Sequence, residues 1–369
     1  MKTNFKLGTW ETVATSGCIS LVPILLTIPT LAVESFGTAA FAHNIYTTIL
    51  ALVVLSVIFH LYRNFSNMDI IDLYEYVGGK PLQIFGGILV ILYLVTLVTL
   101  TFGEFTLSIQ NIVFPDAPQE YIAILFCIAM IISSLAGMRG IFRTGSLIAP
   151  LIISGIALMF ISLFENVDPT NFTPIFGNGI ENFFWQGPLR ISRYEGVFLI
   201  FLLIPYIKNY KKVGYSAFTI SAVLILSTVF LLTGILHYPS ITENFLPMFE
   251  LTRLISFGRF IQRVESIFVL LSLLATFVYL SLGVSFSSII SKKIFNLQDH
   301  KRLIPLFTII IASTSIILNS FEIVTNIREF VFLYVSPSVI YISPIILLII
   351  ANIKRRIQCK KLISQNTSS

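Results

Sequence analysis

The chain has 369 residues, of which 56% are hydrophobic and only 11% charged, with a formal net charge of +6. Mean hydropathy is +0.89. This excludes a sizeable soluble domain, because apolar runs longer than the ~20 residues that cross a bilayer recur along the chain. The positive charge sits in short connecting segments, so it is not a nucleic-acid surface. Cys18 and Cys127 lie in apolar runs and Cys359 in a basic tail, which is no disulfide framework. No phosphate-cradling Gly-rich loop, metal-spaced His/Cys set or nucleophile motif occurs. The sequence gives no support for an enzyme or a cofactor.

Lys2 and Lys6 precede the first apolar run, which lacks a small-residue cleavage end and reads as an uncleaved first helix. Ten spans can be drawn, at 11–33, 44–62, 82–113, 121–138, 146–163, 180–206, 215–236, 266–289, 304–319 and 330–352. In the first, Ser16, Gly17, Cys18, Ser20 and Pro23 crowd the middle and Pro29 follows. Proline lacks the N–H that a helix needs and clashes one turn back. Carbonyls near Ile19 therefore lose their partners, and a break over 17–23 is expected. The alternative is a proline-kinked helix with no ligand.

Before the third span, residues 69–77 form a short amphipathic stretch ended by Gly78-Gly79. The span itself is long and should tilt. Glu104 lies well inside it. A charge at that depth costs ~2.5–3.5 kcal/mol on insertion scales, so the residue must face the bundle interior. Glu104 either shapes a path for a solute or proton, or pairs structurally with a helix end.

The sixth run is interrupted by Gly187, Pro188, Arg190, Ser192, Arg193, Tyr194, Glu195 and Gly196. If 187–195 were an external loop, the helix starting at Gly196 would be too short to span. Irregular backbone at membrane depth is tolerated where it lines a cavity or is buried in protein. Two half-helices meeting at such a break offer opposite partial charges to a solute. Ser192 and Tyr194 supply hydroxyls there. Arg193 and Glu195 either answer the two ends of a zwitterion or pair with each other.

The polar segment 165–179 reads as a loop. Residues 237–262 carry apolar residues at helical spacing and read as an amphipathic helix on the outer surface. His43, His60, His237 and His300 fall at span ends and read as interfacial. Asn319 and Glu322 read as caps of the ninth span.

Alternate connecting segments carry eighteen Lys and Arg, including every lysine, and the opposite set carries six arginines. Both termini are therefore expected in the cytoplasm. Ten spans divide five plus five, and an odd number per half inverts the second half. The expected fold is an all-α polytopic membrane protein with a LeuT-like five-plus-five inverted repeat and broken helices 1 and 6. Residues 1–165 form one repeat, 166–353 the other, and 354–369 a basic tail. The candidate ligand site is Gly17, Cys18, Ser20, Pro23, Glu104, Ser192, Tyr194, Glu195 and Gly196.

The stretch PMFELTRLISFGRFIQRVESIFVLL, residues 247–271, resembles the signature of the GerAB-type, endospore germination permease family. The matching residues are Pro247, Glu250, Ile255-Ser256 and Arg263-Val264-Glu265. GEFTLSIQNIVFPDAP at 103–118, TPIFGNGI at 173–180 and Gly79-Lys80-Pro81 are similar to further segments of that family. The sequence differs where the family usually carries an Arg before the third-span acid, here Gly103. It differs also in Val22-Pro23-Ile24 at the first break and in the reversed order Glu195-Gly196 at the sixth. The resemblance implies the amino acid–polyamine–organocation transporter fold. It further implies a B subunit of a nutrient germinant receptor in the spore inner membrane, recognising a small germinant, commonly an amino acid. Expected partners are a larger A-type membrane subunit and a C-type lipoprotein, with no nucleic acid. An ordinary amino acid transporter is the alternative, and a conduit for water or ions a third reading.

Overall fold

Only a helix satisfies its own backbone in lipid without help from neighbouring chains, so long apolar runs fold as helices. The computed structural model describes residues 6–26, 28–177, 179–236, 246–255, 264–318 and 320–366, and these are helical with short connections. The first run is three short helices, α1 (Thr9–Ile19), α2 (Val22–Leu26) and α3 (Ile28–Phe36). They are followed by α4 (Ala40–Leu61), α5 (Ile70–Ile112), α6 (Gln119–Ala136) and α7 (Met138–Leu163). The sixth run is α8 (Ile180–Trp185), a 3-10 segment Pro188–Tyr194 and α9 (Glu195–Leu203). Beyond it lie α10 (Tyr210–Ile235), α11 (Pro247–Arg253), α12 (Val264–Phe295), α13 (Leu303–Leu318), α14 (Phe321–Phe330) and α15 (Ser343–Asn366).

The two interrupted runs occupy the centre. Every residue of α9 is buried, as are residues 12–19 of α1. α1 lies against α10 and α7, while α5 lies along α12. The outer helices carry their apolar residues outward: Leu125 and Ile132 on α6, Leu151 and Ile161 on α7, Ile309 and Ile317 on α13. On a water-soluble protein such a belt would be an interaction surface or an aggregation liability; here it is the face that lipid covers. The chain is an integral membrane protein.

Among the described residues, seven helices are long and apolar enough to cross a bilayer. The expected spans absent from this set are those at 11–33, 180–206 and 304–319. Proline and glycine cut the first two into short pieces, and α13 has only 16 residues. The tenth helix begins earlier than expected, at Phe321, and runs through π-helical turns at Val331–Val335 and Ser338–Ile342 into α15. Wider turns are how a helix accommodates Pro337 and Pro344 without clashing with the preceding turn. Glu322 is therefore in the first turn of α14 and caps nothing on α13; Asn319 lies outside the described residues.

α5 opens with a reciprocal cap. Asp72 N donates to the Asp69 carboxylate at 2.9 Å and Asp69 N to Asp72 at 3.2 Å. Its first turns are set off by a kink at Gly78-Gly79, where Gly79 has φ +71°, a conformation that favours glycine. This short arm is clamped to its neighbours. Lys293 near the end of α12 reaches Asp69 at 2.5 Å and Asp72 at 2.6 Å. Lys354 on α15 donates to the carbonyls of Tyr76 at 2.7 Å and Val77 at 3.2 Å. α12 itself is 32 unbroken residues without proline.

Of the expected surface helix, residues 237–245 and 256–262 lie outside the described residues. The described part, α11, turns Met248 and Leu251 fully inward and leaves the Glu250–Arg253 pair exposed at 3.3 Å.

Candidate ligand site at two helix breaks

α1 stops at Ile19 because Pro23, two residues into α2, has no N–H to continue the ladder. Leu21 N closes the turn on Cys18 O at 3.1 Å, and Leu25 N resumes on Leu21 O at 2.9 Å. The second break meets this one directly. Gly196 N, in the first turn of α9, donates to Ser20 Oγ at 3.1 Å. The approach requires glycine: a Cβ at Gly196 would lie 2.5 Å from Ser16 O and 3.1 Å from Ser20 N. Gly17 faces the other way. A Cβ there would meet Ile220 at 2.9 Å and the Ala217 carbonyl at 3.2 Å, both on α10, and Ser221 Oγ donates to Gly17 O at 2.9 Å.

The 3-10 segment that joins α8 to α9 is held from outside itself. Ser192 Oγ donates to Phe332 O at 2.7 Å, and Tyr341 OH to Ile191 O at 2.9 Å. Tyr194 OH and Thr48 Oγ1 share a hydrogen bond of 2.5 Å. Arg193 Nη1 donates to Asn44 Oδ1 on α4. Arg190 reaches Ser35 Oγ at 2.7 Å and Glu329 at 3.2 Å. These contacts give a non-helical stretch its partners at depth.

A small cavity opens where the breaks meet, lined by Ile19, Tyr93, Glu195, Gly196, Phe198 and Tyr279 among others. Glu195 is buried; its Oε1 accepts from Tyr279 OH at 2.8 Å. Its Oε2 has no hydrogen-bond partner among the described residues. Tyr93 OH is turned to Ser336 Oγ at 3.1 Å. A buried carboxylate with one oxygen open and an otherwise apolar wall is suited to a cationic group small enough to enter.

The expected site residues are distributed unevenly. Glu195 and Gly196 line this cavity, Ser192 lines a second one with Arg190 and Arg193, and Tyr194 faces a third between α4 and α9. Cys18, Ser20 and Pro23 are buried in the first break without lining the cavity. Arg193 and Glu195 do not pair with each other; they are answered by Asn44 and Tyr279.

Glu104 does not line the cavity, although it and Arg328 lie within electrostatic reach of Glu195. It is fully buried and receives Arg328 Nε, while Arg328 Nη2 donates to Thr101 Oγ1 at 3.0 Å. Arg328, one of the six arginines of the opposite set of connecting segments, is thus inside the bundle on α14. Arg190 and Arg193 are likewise buried, so three of the six arginines of that set lie inside the protein rather than in connecting segments. His43 is not interfacial: it has no exposure and stacks on Phe36 at 3.5 Å. Sequence reading missed Arg328, Tyr279 and Asn44. Arg328 carried a signal, since Val324, Val331 and Phe332 place it on an apolar stripe.

A family model described as spore germination protein (spore permease) matches residues 20–323. The chain belongs to that family. Spore germination protein KB of Bacillus subtilis (strain 168) is 25% identical over 236 residues, covering 61% of this chain and 61% of that protein. The matched part thus spans less than two thirds of that relative's length. Among solved structures, a Na⁺-coupled sialic acid symporter in a substrate-bound outward-open state has a TM-score of 0.62 at 12% identity. The likeness covers 88% of this chain and 76% of the symporter, and shows a shared transporter fold. Within the family signature of 247–271, Ser256 and Arg263 lie outside the described residues; Pro247 starts α11, and Ile255 is buried behind it.

Proposed function

We propose that this spore germination protein is the B-type subunit of a nutrient germinant receptor. In this reading it binds a small amine-bearing solute, an amino acid by class, between the end of α1 and the start of α9. The carrying observation is Glu195, a buried carboxylate with one unpartnered oxygen, lining a cavity with residues of both helix breaks. Glu195 takes the ammonium group, and backbone N–H groups at the start of α9 suit a carboxylate. The resemblance described above supports an A-type membrane subunit and a C-type lipoprotein as partners in the spore inner membrane.

Equilibrium binding of labelled amino acids to membranes holding the full chain tests this. Glu195→Gln should weaken binding at least about tenfold, in keeping with the ~1.5–3 kcal/mol of a charge-assisted hydrogen bond. Unchanged affinity in a normally inserted variant would remove Glu195 from the site. The symporter-like fold favours a second reading, transport of the same solute, which uptake into proteoliposomes separates from binding alone.

The arrangement we favour has ten spans in two inverted halves, 1–165 and 166–353, with helices 1 and 6 broken and both termini cytoplasmic. Residues 354–369 then extend into the cytoplasm. Orientation has its own test, in a Cys359→Ser background because Cys359 is exposed. An impermeant thiol reagent added outside sealed cells should label a cysteine at Ile175 and spare one at Lys212, both exposed positions. Labelling at 212 from outside would reverse the orientation.

A further inference from the structure

On the other side of the 3-10 segment lies a second small cavity, lined by Arg190, Ser192, Arg193, Glu329, Leu31 and Phe332 among others. We infer that it binds a small monoanion, a halide or a small carboxylate, on the Arg193 guanidinium. This site is separate from the Glu195 cavity and independent of the amine reading given above.

The charges decide the sign of the ligand. Two guanidinium groups and one carboxylate line the cavity, and the carboxylate, Glu329, is taken by Arg190 at 3.2 Å. Arg193 faces no carboxylate. It is 4% exposed, its Nη1 is used by Asn44, and its Nη2 has no hydrogen-bond partner among the described residues. The remaining polar group of the wall is already spent, since the Ser192 hydroxyl donates to Phe332 O. Glu34 is the next acid, exposed and facing Glu329. A lysine so placed could shed its proton; a guanidinium keeps its charge. Burying it without a counter-charge is strongly unfavourable. An anion in the cavity supplies that counter-charge and accepts the open N–H.

The size and charge of the ligand follow. One uncompensated positive charge fits one negative charge, which favours a monoanion over phosphate. The planar fork of arginine matches a carboxylate or a compact halide. Leu31 and Phe332 give the cavity apolar walls that exclude a large hydrated polyol. Entry is from the side of Glu329, whose side chain is 34% exposed.

The test uses the purified full chain in lipid nanodiscs, in sodium gluconate. Chloride or acetate replaces gluconate at constant sodium and ionic strength, and both the thermal midpoint and binding of radiolabelled chloride are read. A ligand of the folded state raises the midpoint as it saturates. Wild type should show a saturable rise with chloride or acetate. Arg193→Gln should abolish it, and Arg193→Lys should keep it at several-fold lower affinity. Glu329→Gln should raise affinity several-fold, because Arg190 is then released toward the cavity. A gain of binding cannot be mistaken for misfolding, so this variant decides if Arg193→Gln fails to fold. Acetate binding tighter than chloride assigns a carboxylate occupant, and the reverse a halide. No saturable dependence in wild type, or Glu329→Gln with unchanged affinity, overturns the site.

Discussion

Arg328→Leu is expected to lower the stability of the folded protein by about 3–5 kcal/mol, the cost of leaving one member of a buried ion pair uncompensated. Arg328 and Glu104 both have no exposure, and Arg328 also supplies Thr101 with a donor. With the guanidinium gone, Glu104 must take up a proton or draw water into the bundle. Glu104→Leu combined with Arg328→Leu should recover most of the loss, since an apolar pair of similar volume is often no less stable than the ions it replaces. Melting of the purified protein and the folded amount in membranes report both variants. If Arg328→Leu alone melts with the wild type, the pair is not structural, and a role for Glu104 in a solute path regains its place.

The second large effect belongs to Gly196. Gly196→Leu should abolish solute binding, and Gly196→Ala should weaken it severely, with the protein still inserted. The new Cβ would lie 2.5 Å from the Ser16 carbonyl, so α9 must retreat from α1. That retreat breaks the bond from Gly196 N to Ser20 Oγ and reshapes the cavity; overpacking of this kind costs about 1–3 kcal/mol. Gly17→Leu offers the contrast. Its side chain would press on Ile220 and Ala217 of α10, so it should reduce the folded amount and leave affinity intact in the protein that folds. Equilibrium binding on membrane-inserted variants separates the two; Gly196→Leu binding as tightly as wild type would place the solute elsewhere.

Backbone chemistry was the legible part. Pro23 told where α1 must end, and Gly187-Pro188 told that the sixth run could not be one helix, because both statements need only a missing donor or a missing Cβ. The same holds for the kink at Gly78-Gly79. Side-chain partnerships were not legible. Glu104 declared that it needed a partner, but the partner lay 224 residues away on a helix whose start was misplaced. Arg193 and Glu195, two residues apart, invited a pair; the tight 3-10 turn sends them to different helices. Gly17 and Gly196 read alike as small residues at a break, and only the fold distinguishes a glycine that spares α10 from one that admits α1.

The unbroken length of α12 has a mechanical meaning. Tyr279 holds Glu195 in the cavity, and Lys293 on the same helix holds Asp69 and Asp72 of the α5 arm. At 1.5 Å per residue these two points are roughly 21 Å apart along one continuous helix, with Gly283 between them. The arm could answer a tilt of α12 by swinging on Gly78-Gly79, or by giving up its bonds to Lys293 or Lys354. One helix thus runs from the cavity wall to an arm that carries a two-glycine kink and is held by two lysines, Lys293 and Lys354.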